Sequence, residues 1–120
     1  FVAGVLMAGS ISRTWFGATG HSAVAVPILS MSGTADIVGA QEQFDTTAGI
    51  DLTWIEIEGA CHQTFGLEEC DTLPAEEGTH YVETWALAYG RRHILGDLTM
   101  DPLLAGTDVV SPKIVVKHHD

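Results

Sequence analysis

Two side chains capable of acid–base chemistry each follow a predicted strand of this sequence. Asp36 comes shortly after the apolar run 28–32, and His62 comes shortly after the run 51–57. Active residues collect at the carboxyl ends of strands in open α/β sheets. Neighbouring parallel strands bring their carboxyl-end loops side by side, so we expect these two side chains to form a hydrogen bond. The carboxylate would hold the imidazole in one tautomer, and the imidazole would take a proton from a nucleophile.

Each residue taken alone has a simpler interpretation. An Asp in a glycine-containing turn is typical of an Asx turn, and an isolated His is commonly a surface or core residue. The order of Asp36 and His62, one strand apart, is what favours the catalytic interpretation.

Apolar runs and turn signals predict an α/β chain of alternating strands and helices. The predicted strands are 1–8, 28–32, 51–57 and a short one at 114–116, the helices are 38–48 and 79–95, and the long loops are 9–26 and 61–78. Glutamates near the end of strand 51–57 predict a position nearer the sheet edge, with one wetter face. Thr79 is predicted to cap the last helix.

The chain has 120 residues, enough for one domain with one core, here divided into a core at 1–96 and a tail at 97–120. A net charge of −11 argues against nucleic-acid binding. No apolar run approaches the roughly 20 residues of a membrane span. Because the chain opens with Phe1 inside an apolar run, we expect it to be a fragment of a longer polypeptide.

The two cysteines are Cys61 and Cys70, nine positions apart. No second pair completes a zinc site of the CxxC type. A disulfide across this polar loop is expected in an oxidising compartment, and two free buried thiols in a cytosolic protein are the alternative. A secreted or periplasmic location rests on this disulfide alone, which would also brace the loop that carries His62.

The residues around Asp36 and His62 resemble a known pattern. The stretch Val-Pro-Ile-Leu-Ser-Met-Ser-Gly-Thr-Ala-Asp ends at Asp36, and Ile-Glu-Ile-Glu-Gly-Ala-Cys-His ends at His62. They resemble the C-terminal half of α/β-hydrolases, in the branch of lipases, cutinases and dienelactone hydrolases. There, P-x-L-x-x-x-G-x-x-D supplies the triad acid and G-A-x-H the base. The resemblance covers roughly residues 1–105.

This resemblance implies a fold and a function. The fold would be the C-terminal portion of an α/β-hydrolase, a mostly parallel sheet flanked by helices and completed by a missing N-terminal half. The function would be carboxylic ester hydrolysis by a Ser-His-Asp triad, with Asp36 and His62 supplied by this chain and no cofactor or metal. The partners would be an N-terminal chain or segment with the nucleophilic Ser and oxyanion hole, and a small-molecule or lipid ester.

Two alternatives stay open at this stage. The chain could be a non-catalytic α/β binding subunit. It could also belong to a hydrolase of the same fold with a Cys or Asp nucleophile, acting on lactones or carbon–halogen bonds. Asp36 and His62 would serve any nucleophile, so they do not separate these chemistries.

Other serines fit a nucleophile less well. The string nearest to G-x-S-x-G is Gly-His-Ser-Ala-Val around Ser22, which has Val in place of the last Gly and does not directly follow a strand. Ser10 reads as a turn residue. Cys61 lies next to His62, but consecutive side chains usually point apart, which favours the disulfide over a thiol nucleophile.

Two further groups have open interpretations. Trp15 and Phe16 could line an acyl or aromatic pocket, and core packing is at least as plausible. The terminal His118, His119 and Asp120 could suggest a metal site, but such a tail cluster is more commonly solvated. Trp85 and its neighbours on the last helix are predicted to be core.

Overall fold

A four-stranded sheet organises the computed structural model, which describes residues 1–9, 17, 21–47 and 49–120. The strands, in their spatial order, are β1 (Gly4–Met7), β2 (Ile28–Gly33), β3 (Leu52–Ile57) and β4 (Ile114–His119). The first three are parallel, and β4 runs antiparallel to β3. The α/β class and the mostly parallel sheet predicted from the sequence are thus confirmed.

Helices cover both faces of this sheet. In the described ranges these are α1 (Ala40–Thr46), α2 (Ala75–Leu95) and α3 (Asp101–Leu104), and short 3-10 helices lie at His21–Ala23, His62–Gly66 and Leu98–Met100. None of the helices in the described ranges is long and apolar enough to cross a bilayer.

The start of α2 corrects one prediction. Thr79 was expected to cap the helix, but α2 begins at Ala75 and its N-cap is Pro74. Proline lacks the backbone N–H that a helix start leaves unpaired, and its φ is close to the helical value. Glu76 and Glu77 in the first turn favour this start because negative charge is stabilised at the positive end of the helix dipole.

The larger core lies between α2 and one face of the sheet. Its buried members include Leu29, Met31, Ile55, Ile57, Val82, Trp85 and Tyr89. Alternate strand residues share a face, and the buried positions of α2 recur at helical spacing, so the two patterns meet in one layer. The core role predicted for Trp85 is confirmed.

The opposite face packs against the short helix α1. The Phe44 and Trp54 rings are 5.5 Å apart between centroids, and the Trp54 Nε1–H donates a 2.8 Å hydrogen bond to Ser32 Oγ. The Lys117 ammonium lies 4.4 Å from the centre of the Trp54 ring. These contacts join α1, β2, β3 and β4 on one side of the sheet.

The predicted wetter face of the strand at 51–57 is wrong. β3 lies between β2 and β4, and every residue from Leu52 to Ile57 except Glu56 is buried. The edge strands of this sheet are β1 and β4, and Val115 of β4 is 46% exposed. The short strand predicted at 114–116 is confirmed and extends to His119.

Polar contacts attach the segment before β4 to α2. Glu77 accepts hydrogen bonds from the Tyr81 hydroxyl at 2.7 Å and from Lys113 Nζ at 3.0 Å, and Ser111 Oγ lies 2.8 Å from the same hydroxyl. The hydrogen bond from Tyr81, followed by that from Lys113, lowers the pKa of Glu77. These contacts fix the segment at Ser111 and Lys113 against α2, directly before the chain enters β4.

Candidate active site

Backbone hydrogen bonds join the loop after β2 to the loop after β3. The Thr34 N–H donates to the Ile57 carbonyl at 3.1 Å, and the Ala35 N–H donates to the Ala60 carbonyl at 3.0 Å. In the other direction, the Gly59 N–H donates to Thr34 Oγ1 at 2.9 Å. The two loops therefore form one unit at the carboxyl edge of the parallel strands.

Gly33 permits the close approach of these loops. A Cβ atom at this position would lie 1.9 Å from the Ala60 carbonyl oxygen, well inside van der Waals contact. The next loop has a second requirement for glycine, because Gly59 adopts a φ of 78°.

The structure brings together the two side chains that the sequence pairs. Asp36 Oδ2 lies 3.2 Å from His62 Nδ1, and Asp36 Oδ1 accepts a 2.8 Å hydrogen bond from the Ile37 N–H. The Asp36 side chain is only 3% exposed, whereas that of His62 is 68% exposed. A buried carboxylate thus supports an imidazole that faces solvent.

This geometry is suited to proton transfer. A carboxylate accepts hydrogen bonds only, so the Asp36 contact assigns the proton of neutral His62 to Nδ1. The Nε2 lone pair is then free to accept a proton from a nucleophile or a water. If Nε2 takes that proton, the Asp36 carboxylate stabilises the resulting imidazolium.

The predicted disulfide is confirmed and lies directly beside His62. Cys61 and Cys70 are bonded, with their Cα atoms 6.1 Å apart. The Cys61 N–H also donates to Thr64 Oγ1 at 3.2 Å, and the Thr64 N–H donates to the Cys61 carbonyl at 3.1 Å. Because the Cys61 sulfur is oxidised, the alternative of a Cys61 nucleophile is wrong for this structure.

A polar cavity of about 370 Å³ adjoins the acid–base pair. Its walls are Ala35, Cys61, Gln63, Glu69, Cys70, Asp71 and Thr72. Glu69 and Asp71 contribute negative charge to its lining. A bound molecule carrying a carboxylate would be repelled here, so the cavity favours neutral or cationic groups.

Some of the residues considered in the sequence lie outside the described part of the chain. These are Ser10, Trp15 and Phe16. The backbone of Ser22 belongs to the 3-10 turn His21–Ala23, and its side chain is not among those described.

Three positioning residues were missed by the sequence analysis. Thr34, Gly59 and Thr64 hold the two loops through the hydrogen bonds above. No pattern in the sequence marks Thr34 as the acceptor for Gly59, 25 positions away. The local spacing of Cys61 and Thr64 is the signal that could have been used, since a side chain three positions into a helical turn can reach back to its start.

The fold and the site together define an α/β protein with an Asp–His pair at the carboxyl edge of parallel strands. No protein-family model matches this chain, and no curated protein is significantly similar to it. What the protein does is therefore argued from the geometry of Asp36 and His62.

Removing the disulfide should lower the stability of the protein. For the double variant Cys61→Ala/Cys70→Ala, we expect the free energy of unfolding to fall by roughly 2.5 kcal/mol, the chain-entropy value for so short a loop. Denaturant titration in oxidising buffer measures the change. Excess dithiothreitol should bring the wild type to the stability of the variant and leave the variant unchanged. Equal stability of the two proteins in oxidising buffer would contradict the prediction.

Proposed function

We propose that this chain is the acid–base half of a serine-type carboxylic ester hydrolase. The observation that carries the proposal is the 3.2 Å contact between the buried Asp36 carboxylate and the exposed His62 imidazole at adjacent strand ends. The sequence resemblance to α/β-hydrolases adds the nucleophile, a serine on an N-terminal segment together with oxyanion-hole amides.

The proposed reaction has two half-reactions. His62 Nε2 takes the proton of the serine hydroxyl while the serine oxygen attacks the ester carbonyl carbon, and Asp36 stabilises the imidazolium. His62 then gives this proton to the leaving alcohol, and an acyl-enzyme remains. In the second half, His62 deprotonates a water that attacks the acyl carbon, and the proton returns to the serine oxygen as the acid is released.

The surroundings of the site suggest a class of substrate. Glu69 and Asp71 line the adjoining cavity, which favours small-molecule or lipid esters without a negative charge near the scissile bond. The disulfide between Cys61 and Cys70 supports an oxidising compartment, so we propose secretion or export to the periplasm.

Labelling with a fluorophosphonate probe tests the proposal. The native protein, purified with every chain or segment that it carries, should form a phosphonyl-serine adduct with loss of fluoride. Intact mass and peptide mapping then locate the modified serine. The His62→Gln variant should lose the labelling, whereas His80→Gln, a change at an exposed histidine of α2, should keep it.

Other results would overturn the ester-hydrolase proposal. Labelling of a cysteine by iodoacetamide, or of an aspartate by a haloalkane, would assign the same Asp–His pair to a different nucleophile. If no residue of the complete protein reacts with any of the three probes, the non-catalytic binding subunit becomes the better explanation.

A further inference from the structure

Three potential metal ligands meet at the end of the sheet opposite His62. Asp51 directly precedes β3, and Asp120 directly follows β4. Strand β4 is antiparallel to β3, and His118 pairs with Thr53 in this register. Asp51 lies two residues before Thr53, so its side chain is on the same face and close to His118. One ligand atom from each of Asp51, His118 and Asp120 lies within 4.8 Å of the others.

We propose that Asp51, His118 and Asp120 bind a divalent transition-metal ion, for which zinc is the test ion. His118 Nε2 lies 3.2 Å from Asp120 Oδ1, and His118 Nδ1 lies 3.9 Å from Asp51 Oδ1. One imidazole nitrogen and two carboxylate oxygens form a ligand set that zinc accepts, with a further position left for water.

Thr53 orients the imidazole ligand. Its hydroxyl lies 3.1 Å from His118 Nδ1, and Thr53 itself is only 6% exposed. When Nδ1–H donates to this hydroxyl, Nε2 carries the lone pair and faces Asp120. Metal-binding histidines usually donate their second nitrogen in this way, which fixes both the tautomer and the ring orientation.

An unsatisfied buried group lies within electrostatic range of Asp51. The Tyr89 hydroxyl has no hydrogen-bond partner among the described residues, although Tyr89 is only 1% exposed. Burial, followed by the negative charge of Asp51, raises the pKa of this phenol. The Tyr89 ring also lies 4.3 Å from the His93 ring, and His93 lines the cavity of about 390 Å³ that includes Asp51 and His118. Buried hydroxyls are rarely left unpaired, and this one lies near enough to Asp51 for the charge of that carboxylate to act on it.

The balance of charge in this cavity favours a cation. Arg92 and Asp101 also line it, and they form an ion pair with each other. Asp51 and Asp120 then contribute two further negative charges beside the His118 imidazole.

The structure separates the three residues of the terminal His-His-Asp tail. His119 points to the other face of the sheet, where its Nε2 lies 3.0 Å from the Phe44 carbonyl oxygen. The sequence analysis considered only the tail itself. It did not include Asp51, because this residue lies more than sixty positions earlier in the chain.

Calorimetric titration with zinc chloride near neutral pH tests the site on the intact protein. We expect one zinc ion per chain, and an affinity lowered at least about tenfold by Asp51→Asn and by His118→Ala. The matched control His80→Ala changes an exposed histidine of α2 and should bind zinc as the wild type does. In imidazole ¹⁵N spectra, zinc should shift Nε2 of His118 and leave the His62 signals unchanged.

Three results would overturn the proposal. These are the absence of zinc binding to the wild type, equal affinity of the Asp51→Asn and wild-type proteins, and a zinc-induced shift at His62 in place of His118. The titration contains no ester, so a failure to bind zinc would not count against the proposed hydrolase. A failure of the fluorophosphonate labelling would likewise not count against the zinc site.

Discussion

Replacing His62 by glutamine is expected to lower kcat/KM for ester hydrolysis by about 10⁵-fold in the proposed hydrolase. Glutamine cannot take up a proton at neutral pH, so the serine would attack without a general base. The loss should appear in kcat, because His62 acts on the reacting groups more than on substrate binding. The His62 side chain is 68% exposed, so the free energy of unfolding should change by no more than about 0.5 kcal/mol.

Steady-state hydrolysis of a neutral p-nitrophenyl ester measures this effect in the complete protein. His80→Gln is the matched control, since it makes the same substitution at an exposed histidine away from the site and should retain wild-type kcat/KM. Denaturant midpoints confirm that both variants are folded. A folded His62→Gln protein with kcat/KM within tenfold of the wild type would exclude His62 as the base.

The Asp36→Asn variant should lose about 10⁴-fold in kcat. Asparagine has nearly the same shape, and its amide oxygen can still accept the hydrogen bond from the Ile37 N–H. Its NH₂ group, however, would face His62 and donate to Nδ1. The imidazole would then carry its proton on Nε2, the nitrogen that must be free to accept the proton of the nucleophile.

Imidazole ¹⁵N spectra test this explanation separately from activity. In the wild type at high pH, we expect His62 to be protonated at Nδ1, and in Asp36→Asn at Nε2. Asp108→Asn provides the control, because Asp108 is an exposed aspartate outside the site and its substitution should change neither the tautomer nor kcat. If Asp36→Asn leaves both the tautomer and the function unchanged, the non-catalytic binding subunit is favoured instead.

The residues of the sequence by themselves determined the local elements and the pairing of acid with base. Apolar runs bounded by turn residues indicated β1, β2 and β3. The run at 1–8 also suited a strand buried on both faces, and this part of the prediction is wrong because Val5 and Met7 of β1 are exposed. The positions of Asp36 and His62 after successive strands were enough to bring them together, because parallel neighbours end at the same edge. For Cys61 and Cys70 the sequence favoured a disulfide, because the loop between them is polar, but it left two free thiols as the alternative, and the structure shows the bond.

Only the tertiary structure decided which segments cover one another. Strand β3 was placed near the edge because its glutamates suggested a wet face, yet the return of β4 buries it. The contact between Thr34 and Gly59, and the approach of His118 to Asp51, depend on the same kind of pairing. Hydrophobic periodicity reports the environment of a segment but not which distant segment provides it. The partner is selected by packing across the whole sheet, and that information is not local to any stretch of residues.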